Sequence, residues 1–507
     1  MARNKSYDAV MGYRCNICSH RTGACTHRNA VMSDYSSHGG REAQSFKGKH
    51  VLVLGLGKFG GGVGVTQYLV KEGARIRVSD SATREELSHS IDQLKDCDIE
   101  YRFGPHLPEI LDGIDCVVVN PAFAPHNPFI AEIAKRGIPQ TTEVNIFFER
   151  CKGTIIGVIG TNGKETIVRL ADALLSKLGK KVVVGGNIGA SLLDLLDTIT
   201  SDTLVLFELS SFQLHRLQWI TRRPGIAVYC NITPDHLEWH GTLEKYISDK
   251  CVALRGQGER GVTILNVDDP ILRRVSDHDV EGICIRTSTH TTHADIYVEH
   301  GKIVGNTDGK ISDLSPTDLK IVGEHNLSNA VLAAAIGFYF GADASIIGPT
   351  LTSFRGVPYA LEYVDTVEGI QFYNDSAATN PEATYAALAS FPTPIYLIVG
   401  GYDKHIEWTG ITTAIAQKVK GVATIGQLTD TFADAIHSTN PSLPLDRSHT
   451  LKKAFAWCTR HAHGGDIVVL SPATSSYDQY RNLEQRGDEF KRHVAHYAQS
   501  MESHHES

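Results

Sequence analysis

Apolar positions along this chain group into three blocks in which buried-strand runs alternate with helical spacing. In the first, "HVLVLGLG" from His50 is a continuous apolar run of the kind a buried strand carries, and Gly55-x-Gly57-x-x-Gly60 is a tight turn. The stretch "VGVTQYLVKEG" then reads as a helix closed by Gly73, and "RIRVSD" as a second strand ending at Asp80. The second block opens with "IIGVIGTNGKETIVRL", Ile155 to Leu170. After Lys164 the apolar residues Ile167, Leu170, Ala171, Leu174, Leu175 and Leu178 fall on one helical face, and Gly179 is a C-terminal stop. That helix therefore begins inside a glycine loop. A third block of alternating strand and helix follows further along the chain.

Both glycine turns suit phosphate, because backbone N–H groups at a helix start bind anions. The first is followed about twenty residues later by Asp80, where a dinucleotide fold holds a ribose hydroxyl, so an NAD-dependent dehydrogenase is one reading. The glycines equally suit close packing of helix on strand, or the diphosphate of another nucleotide. The second turn, Gly160-Thr161-Asn162-Gly163-Lys164, departs from the common GxxxxGK[ST] form: Gly157 lies one residue too far from Gly163, and Glu165 replaces the magnesium-binding hydroxyl. Read alone, it is also compatible with a Gly-Asn turn carrying a surface lysine.

Composition narrows the class. A chain of 507 residues, 42% hydrophobic and 21% charged, is ordinary for a globular protein of roughly three domains. No segment is apolar for long enough to span a bilayer, and "MARNKSYDAVMGYRC" lacks a signal-peptide core, so a cytoplasmic protein without a membrane partner is expected. A net charge of −8 gives no reason to expect nucleic acid. Ten cysteines in this length are no disulfide scaffold. Cys15, Cys18 and Cys25, with His20 and His27, have the residue types of a zinc site but the spacing of no common finger. The alternative is that residues 1–31 are a disordered leader, or lie upstream of a start at Met32. "SDYSSHGGREAQSFKGKH" reads as linker.

Three further segments carry acidic, basic and histidine residues in a metal-and-phosphate pattern. Glu208 follows the strand run "TLVLF", and a carboxylate at a strand end is placed to hold a metal that bridges phosphates. His236 in "TPDHLEWH" suits a metal ligand or a core histidine. Lys250, fourteen residues on, reads by itself as a solvated lysine.

The segments "FELSSFQL", "NITPDHLEWHGTLEKYISDK" and "GEHNLSNAVLAAA" resemble the central domain of the Mur ligases. "NDSAATNPEAT", "VGGYDK" and "LSPATSSYDQYRNLEQRGDEF" are similar to the MurD type of that family, and the resemblance runs from about residue 50 to about 495 in the family's order. It implies an α/β protein with a Rossmann-like N-terminal domain, a central P-loop ATPase-like domain and a Rossmann-like C-terminal domain. The expected boundaries are a leader at 1–46, then 47–150, 151–355 and 356–498, and a tail at 499–507.

The activity implied is ATP-dependent addition of D-glutamate to UDP-N-acetylmuramoyl-L-alanine through an acyl phosphate, in peptidoglycan precursor synthesis, by a monomer. ATP would lie on Gly160, Thr161, Asn162, Gly163, Lys164, Glu165 and Thr166, with Asn326 and Asp375 nearby. Mg2+ would be held by Glu208, His236, Lys250 once carbamylated, and Glu165 or Thr166; Lys164, Glu208, His236 and Lys250 would be the catalytic set. The UDP-linked substrate would take Gly57, Lys58, Phe59, Asp80 and Asn187, and D-glutamate would take Thr379, Lys404 and Ser476.

Departures from the family gather around the triphosphate. Besides Glu165, the family's His-Arg pair reads Tyr359-Ala360, and its Asp-Ser-Lys reads Asp375-Ser376-Ala377; Leu483 stands where an aromatic ring is common. Two cations are absent and one anion is added. A relative that binds nucleotide or precursor without ligation is therefore an alternative expectation.

Overall fold

A computed structural model describes residues 45–57, 60–186, 191–305, 318–405 and 407–505. The cysteine-histidine cluster at 15–27, Met32, Lys58, Phe59 and Asn187 lie outside the described residues.

The first unit is a parallel sheet with strands in the order Ile99–Phe103, Arg75–Asp80, His50–Leu54, Cys116–Val119, Gln140–Thr141. Cys116–Val119 is buried at every position and His50–Leu54 at all but its first, which is why both read as unbroken apolar runs: a parallel sheet is covered on both faces. Chain order reverses on either side of His50–Leu54. The crevice at that reversal is where open α/β sheets bind ligands, and the glycine turn enters it. The helix Gly61–Lys71 packs so closely there that a Cβ on Gly62 would sit 2.1 Å from the Leu56 carbonyl oxygen.

The second unit repeats the design. Its sheet runs Lys302–Gly305, Ile296–Glu299, Ile283–Ser288, Val262–Asn266, Ile226–Tyr229, Thr154–Ile159, Leu204–Leu209, Val182–Gly186, parallel except for the first pair. Chain order reverses at Thr154–Ile159, and the strand leads directly into the Gly160–Lys164 loop. The helix Lys164–Lys177 follows as the spacing predicts, and Gly179 terminates it in the left-handed region.

The first two units share one hydrophobic core. Phe147 and Phe148 each lie 5.6 Å, ring centre to ring centre, from Phe207 of the second sheet. The third unit keeps its own cores on a sheet ordered Glu362–Val367, Ile370–Asn374, Ile467–Leu470, Tyr396–Gly400, Gly421–Ile425, Leu445–His449, with only Glu362–Val367 antiparallel. Alternation splits its strands: Leu397 and Val399 face one core, Tyr396 and Ile398 the other.

Two boundaries shift. Phe46, inside the expected leader, is 2% exposed and stacks under the Arg150 guanidinium, so it belongs to the first core. The final helix runs Leu483–His505, past the expected end at 498, because Met501 still packs on the third unit. No helix among the described residues is long and apolar enough to cross a membrane.

Candidate active site

A cavity of about 440 Å³ lies between the first two units. Gly57, Gly61 and Asn120 line it from the first, and Gly160, Thr161, Lys164, Asp235, His236 and Lys250 from the second. The two glycine turns, distant in sequence, thus open into one space.

The phosphate loop is held from beneath by a residue that the sequence reading overlooked. Asn231, just beyond the strand Ile226–Tyr229, accepts from the backbone N–H groups of Thr161 (3.2 Å) and Asn162 (2.9 Å) and donates to the Asn162 carbonyl (2.9 Å). The Cys230 thiol donates to the same carbonyl at 2.9 Å, and a Cβ on Gly160 would meet that sulfur at 1.9 Å, so only glycine fits. With Thr161 and Asn162 so engaged, the N–H groups of the first helical turn, at Lys164, Glu165 and Thr166, are those a helix leaves without intrahelical acceptors. Lys164 Nζ donates to the Thr161 carbonyl at 2.9 Å and stands on the cavity wall.

Lys250 is not a solvated lysine. It is 2% exposed, its Nζ donates to the Gly160 carbonyl at 2.6 Å, and it lies 4.7 Å from the centre of the Tyr246 ring. Burial, aided by the neighbouring charge of Lys164, pushes its amine down to about 7. Tyr246 in turn meets the Thr161 hydroxyl at 2.9 Å, and burial raises its phenol to about 12. His236 is on the wall too, in the left-handed region and 45% exposed, with its ring on Phe212; it is not a core histidine. Glu208 is buried, paired in register with Val158 of the loop's own strand, and does not line the cavity.

Among the described residues no three His, Cys, Asp or Glu side chains cluster closely enough to hold a metal alone. That fits magnesium, which takes one or two carboxylates and completes its shell with phosphate oxygens and water. Asp235 and His236 stand on the wall, and the side chains of Glu208 and Lys250 are buried.

In the first unit the Asp80 carboxylate accepts from the Gly57 N–H of the turn at 3.0 Å and from the Ala82 N–H, two residues on, at 2.9 Å. Glu143, another residue the sequence reading passed over, stands against Gly61 on the cavity wall; burial raises its carboxyl to about 7 against a hydrogen bond from Ser191.

The candidate amino-acid residues converge on the third unit, each just past the carboxyl end of a strand. Lys404 Nζ donates to the Thr379 carbonyl at 2.7 Å, and Ser475, beside the buried Ser476, accepts from the Tyr402 N–H at 3.0 Å. None of the three lines the cavity. Asp375 is also internal to this unit, accepting from Leu361 N–H (3.0 Å) and Ser471 Oγ (2.6 Å), and burial raises its carboxyl to about 7. Asn326 donates to the Val322 carbonyl at 2.7 Å and accepts from Asn329 at 3.1 Å.

The departures have structural partners. Glu165 is bound by Arg169 one helical turn on, at 2.7 and 2.9 Å, so the added anion is neutralised within its own helix. Thr166 shares that first turn, half-buried. The altered third-unit positions adjoin: the Ala377 N–H donates to the Tyr359 carbonyl at 2.9 Å, and the Lys491 ammonium lies 4.3 Å from the Tyr359 ring centre. Leu483 gives its carbonyl to Ser376 Oγ at 2.7 Å.

Comparison with known proteins agrees with this architecture. Family profiles match in order: the MurD-like N-terminal domain of Mur ligases over residues 49–142, the Mur ligase middle domain over 158–337, and the Mur ligase glutamate ligase domain over 361–474. The chain belongs to the Mur ligase family. Within it, curated relatives that bear the name UDP-N-acetylmuramoylalanine--D-glutamate ligase align almost end to end. The one from Thermoanaerobacter sp. (strain X514) is 34% identical over 89% of this chain and 98% of its own. That from Alkaliphilus oremlandii is 35% identical over 89% and 99%, and that from Clostridioides difficile (strain 630) 34% over 88% and 98%. Two Thermotoga maritima structures share the fold at 18% identity and a TM-score of 0.51: UDP-N-acetylmuramate-alanine ligase MurC, over 89% of this chain and 100% of that one, and MurF ligase in complex with ADP, over 89% and 96%.

Proposed function

We infer that this protein is an ATP-dependent ligase that joins D-glutamate to the alanyl carboxylate of UDP-N-acetylmuramoyl-L-alanine in peptidoglycan precursor synthesis. The observation that carries this is the single cavity into which both glycine turns open, with Lys164 and Lys250 on its wall. One turn would take the diphosphate of the UDP-linked acid and the other the triphosphate of ATP, so that the carboxylate and the γ-phosphoryl group meet between them. A carboxylate is a poor electrophile, and phosphorylation makes it one; the amine then displaces phosphate.

Lys164 would neutralise charge on the transferring phosphoryl group, where positioned charge contributes most to such catalysis. The N–H groups of the first turn of Lys164–Lys177 would orient it. Lys250, as a carbamate, would present an anion in place of a cation at the same buried position, and with Glu208, His236 and Asp235 would hold Mg2+. That ion supplies charge neutralisation to the phosphates when bound. Lys404 would pair one carboxylate of D-glutamate, with Thr379 and Ser476 bonding the other. Because these three stand on a separate core from the cavity, the third unit must approach the first two to deliver the amine, and closure would exclude water from the acyl phosphate.

The test is phosphate release by purified protein. ATP, UDP-N-acetylmuramoyl-L-alanine and D-glutamate together should release phosphate, and omission of either substrate should abolish it. No release above ATP alone would overturn the reading.

A further inference from the structure

Beside the cavity three side chains form an unbroken line. Ser211 Oγ is 3.0 Å from His240 Nε2, and His240 Nδ1 is 2.8 Å from Asp249 Oδ2. Asp249 is 1% exposed and the His240 side chain is fully buried, while Ser211, first residue of the helix Ser211–Leu217, is on the cavity wall. The line is registered to the reacting centre by the chain itself: Glu208 precedes Ser211 by three residues, and Lys250 follows Asp249.

The proton positions follow from the partners. Three donors converge on the buried Asp249 carboxylate: His240 Nδ1 at 2.8 Å, His215 Nδ1 at 3.0 Å and Lys245 Nζ at 2.5 Å. An anionic Asp249 accepts from His240 Nδ1–H, which leaves a lone pair on Nε2, so Ser211 donates its hydroxyl proton to the imidazole. The rings of Phe212, Trp239 and Tyr246 also stand against His240. Ser211 Oγ is thereby an acceptor on a wall where the reaction needs one. An α-ammonium cannot attack an acyl phosphate until it loses a proton.

We propose that Ser211, His240 and Asp249 are the proton relay that deprotonates the incoming amine, a step that rests on the ligase reading above. One ammonium proton passes to Ser211 Oγ as the Ser211 proton passes to His240 Nε2, and Asp249 balances the imidazolium. The freed nitrogen lone pair forms the C–N bond, the acyl C–O bond breaks with its electrons on phosphate, and the second nitrogen proton leaves with that phosphate. Ser211 is the catalytic residue; His240 and Asp249 act through it.

The experiment compares two nucleophiles on Ser211→Ala and on Asp249→Asn. D-glutamate needs deprotonation at neutral pH; hydroxylamine does not. With ATP and UDP-N-acetylmuramoyl-L-alanine, the D-glutamate rate should fall roughly 10²-fold, as for loss of a general base, and recover as pH rises. Hydroxamate formation should stay within about twofold of wild type, which also shows the variant to be folded. Equal loss with both nucleophiles would mean that the three residues only brace the helix, and unchanged D-glutamate rates would mean that the base is elsewhere; either overturns the relay. A wild-type protein that forms neither product would instead refute the ligase reading.

Discussion

Lys250 offers a quantitative test of how burial prepares a side chain for chemistry. Carbamylation requires the neutral amine, since carbon dioxide adds to a nitrogen lone pair and a proton is released. At the ordinary lysine value of 10.5 about one amine in 3,000 is neutral at pH 7, whereas at about 7 roughly half are, an enrichment of about 10³. The same shift represents on the order of 5 kcal/mol of discrimination against the buried ammonium. Its sign is fixed by proton counting: between about pH 7 and 10.5 the unfolded chain binds the proton that the folded chain has lost, so stability of the unmodified protein rises across that window. The assay is activity in degassed buffer against buffer with fixed dissolved carbon dioxide, over roughly two pH units on either side of neutrality, with carbamate followed by labelled-carbon NMR. Activity should depend on carbon dioxide, and the modified fraction should rise with a midpoint near neutrality. Lys250→Ala should lose most activity and regain part of it in concentrated acetate. Activity indifferent to carbon dioxide, or an alanine variant as active as wild type, would refute the reasoning.

Three further outcomes are expected. Asn231→Ala removes three bonds to the phosphate loop, so thermal denaturation should show a loss of about 2 kcal/mol and the KM for ATP should rise. Glu165→Thr with Ala360→Arg and Ala377→Lys frees Arg169 and restores two cations; calorimetry across a magnesium series should show ATP binding tightened at least about tenfold, or ~1.4 kcal/mol. Lys404→Ala should raise the KM for D-glutamate at least about tenfold with the KM for ATP unchanged, and wild type should prefer D-glutamate to D-aspartate and L-glutamate because a wrong length or hand leaves a buried polar partner unmet.

Strands and helices of the first two units were legible because burial on both sheet faces writes itself as apolar runs, as in Cys116–Val119, and because glycines mark where the helices Gly61–Lys71 and Lys164–Lys177 start. The phosphate loop and Lys164 were legible for the same reason. What the pattern does not carry is proximity between distant segments. Nothing near Asn231 announces that its amide will hold a loop seventy residues away, and Lys250 looks solvated until Gly160 and Tyr246 are seen to enclose it. Ser211, His240 and Asp249 share no local spacing. The pairing of Glu165 with Arg169 is the exception, since four residues apart on a helix is a contact that sequence alone provides. Asp80 carries a contact that its position in the sequence does not announce: its carboxylate accepts from the Gly57 N–H of the glycine turn.

The central claim is that an acyl phosphate forms on the alanyl carboxylate within the shared cavity. Isotopically labelled oxygen in that carboxylate tests it most directly, because the atom that attacks the γ-phosphorus leaves with phosphate when the amine displaces it. Mass spectrometry after turnover with ATP and D-glutamate should find one labelled oxygen in each phosphate released. Phosphate without label, formed alongside the amide product, would contradict the account.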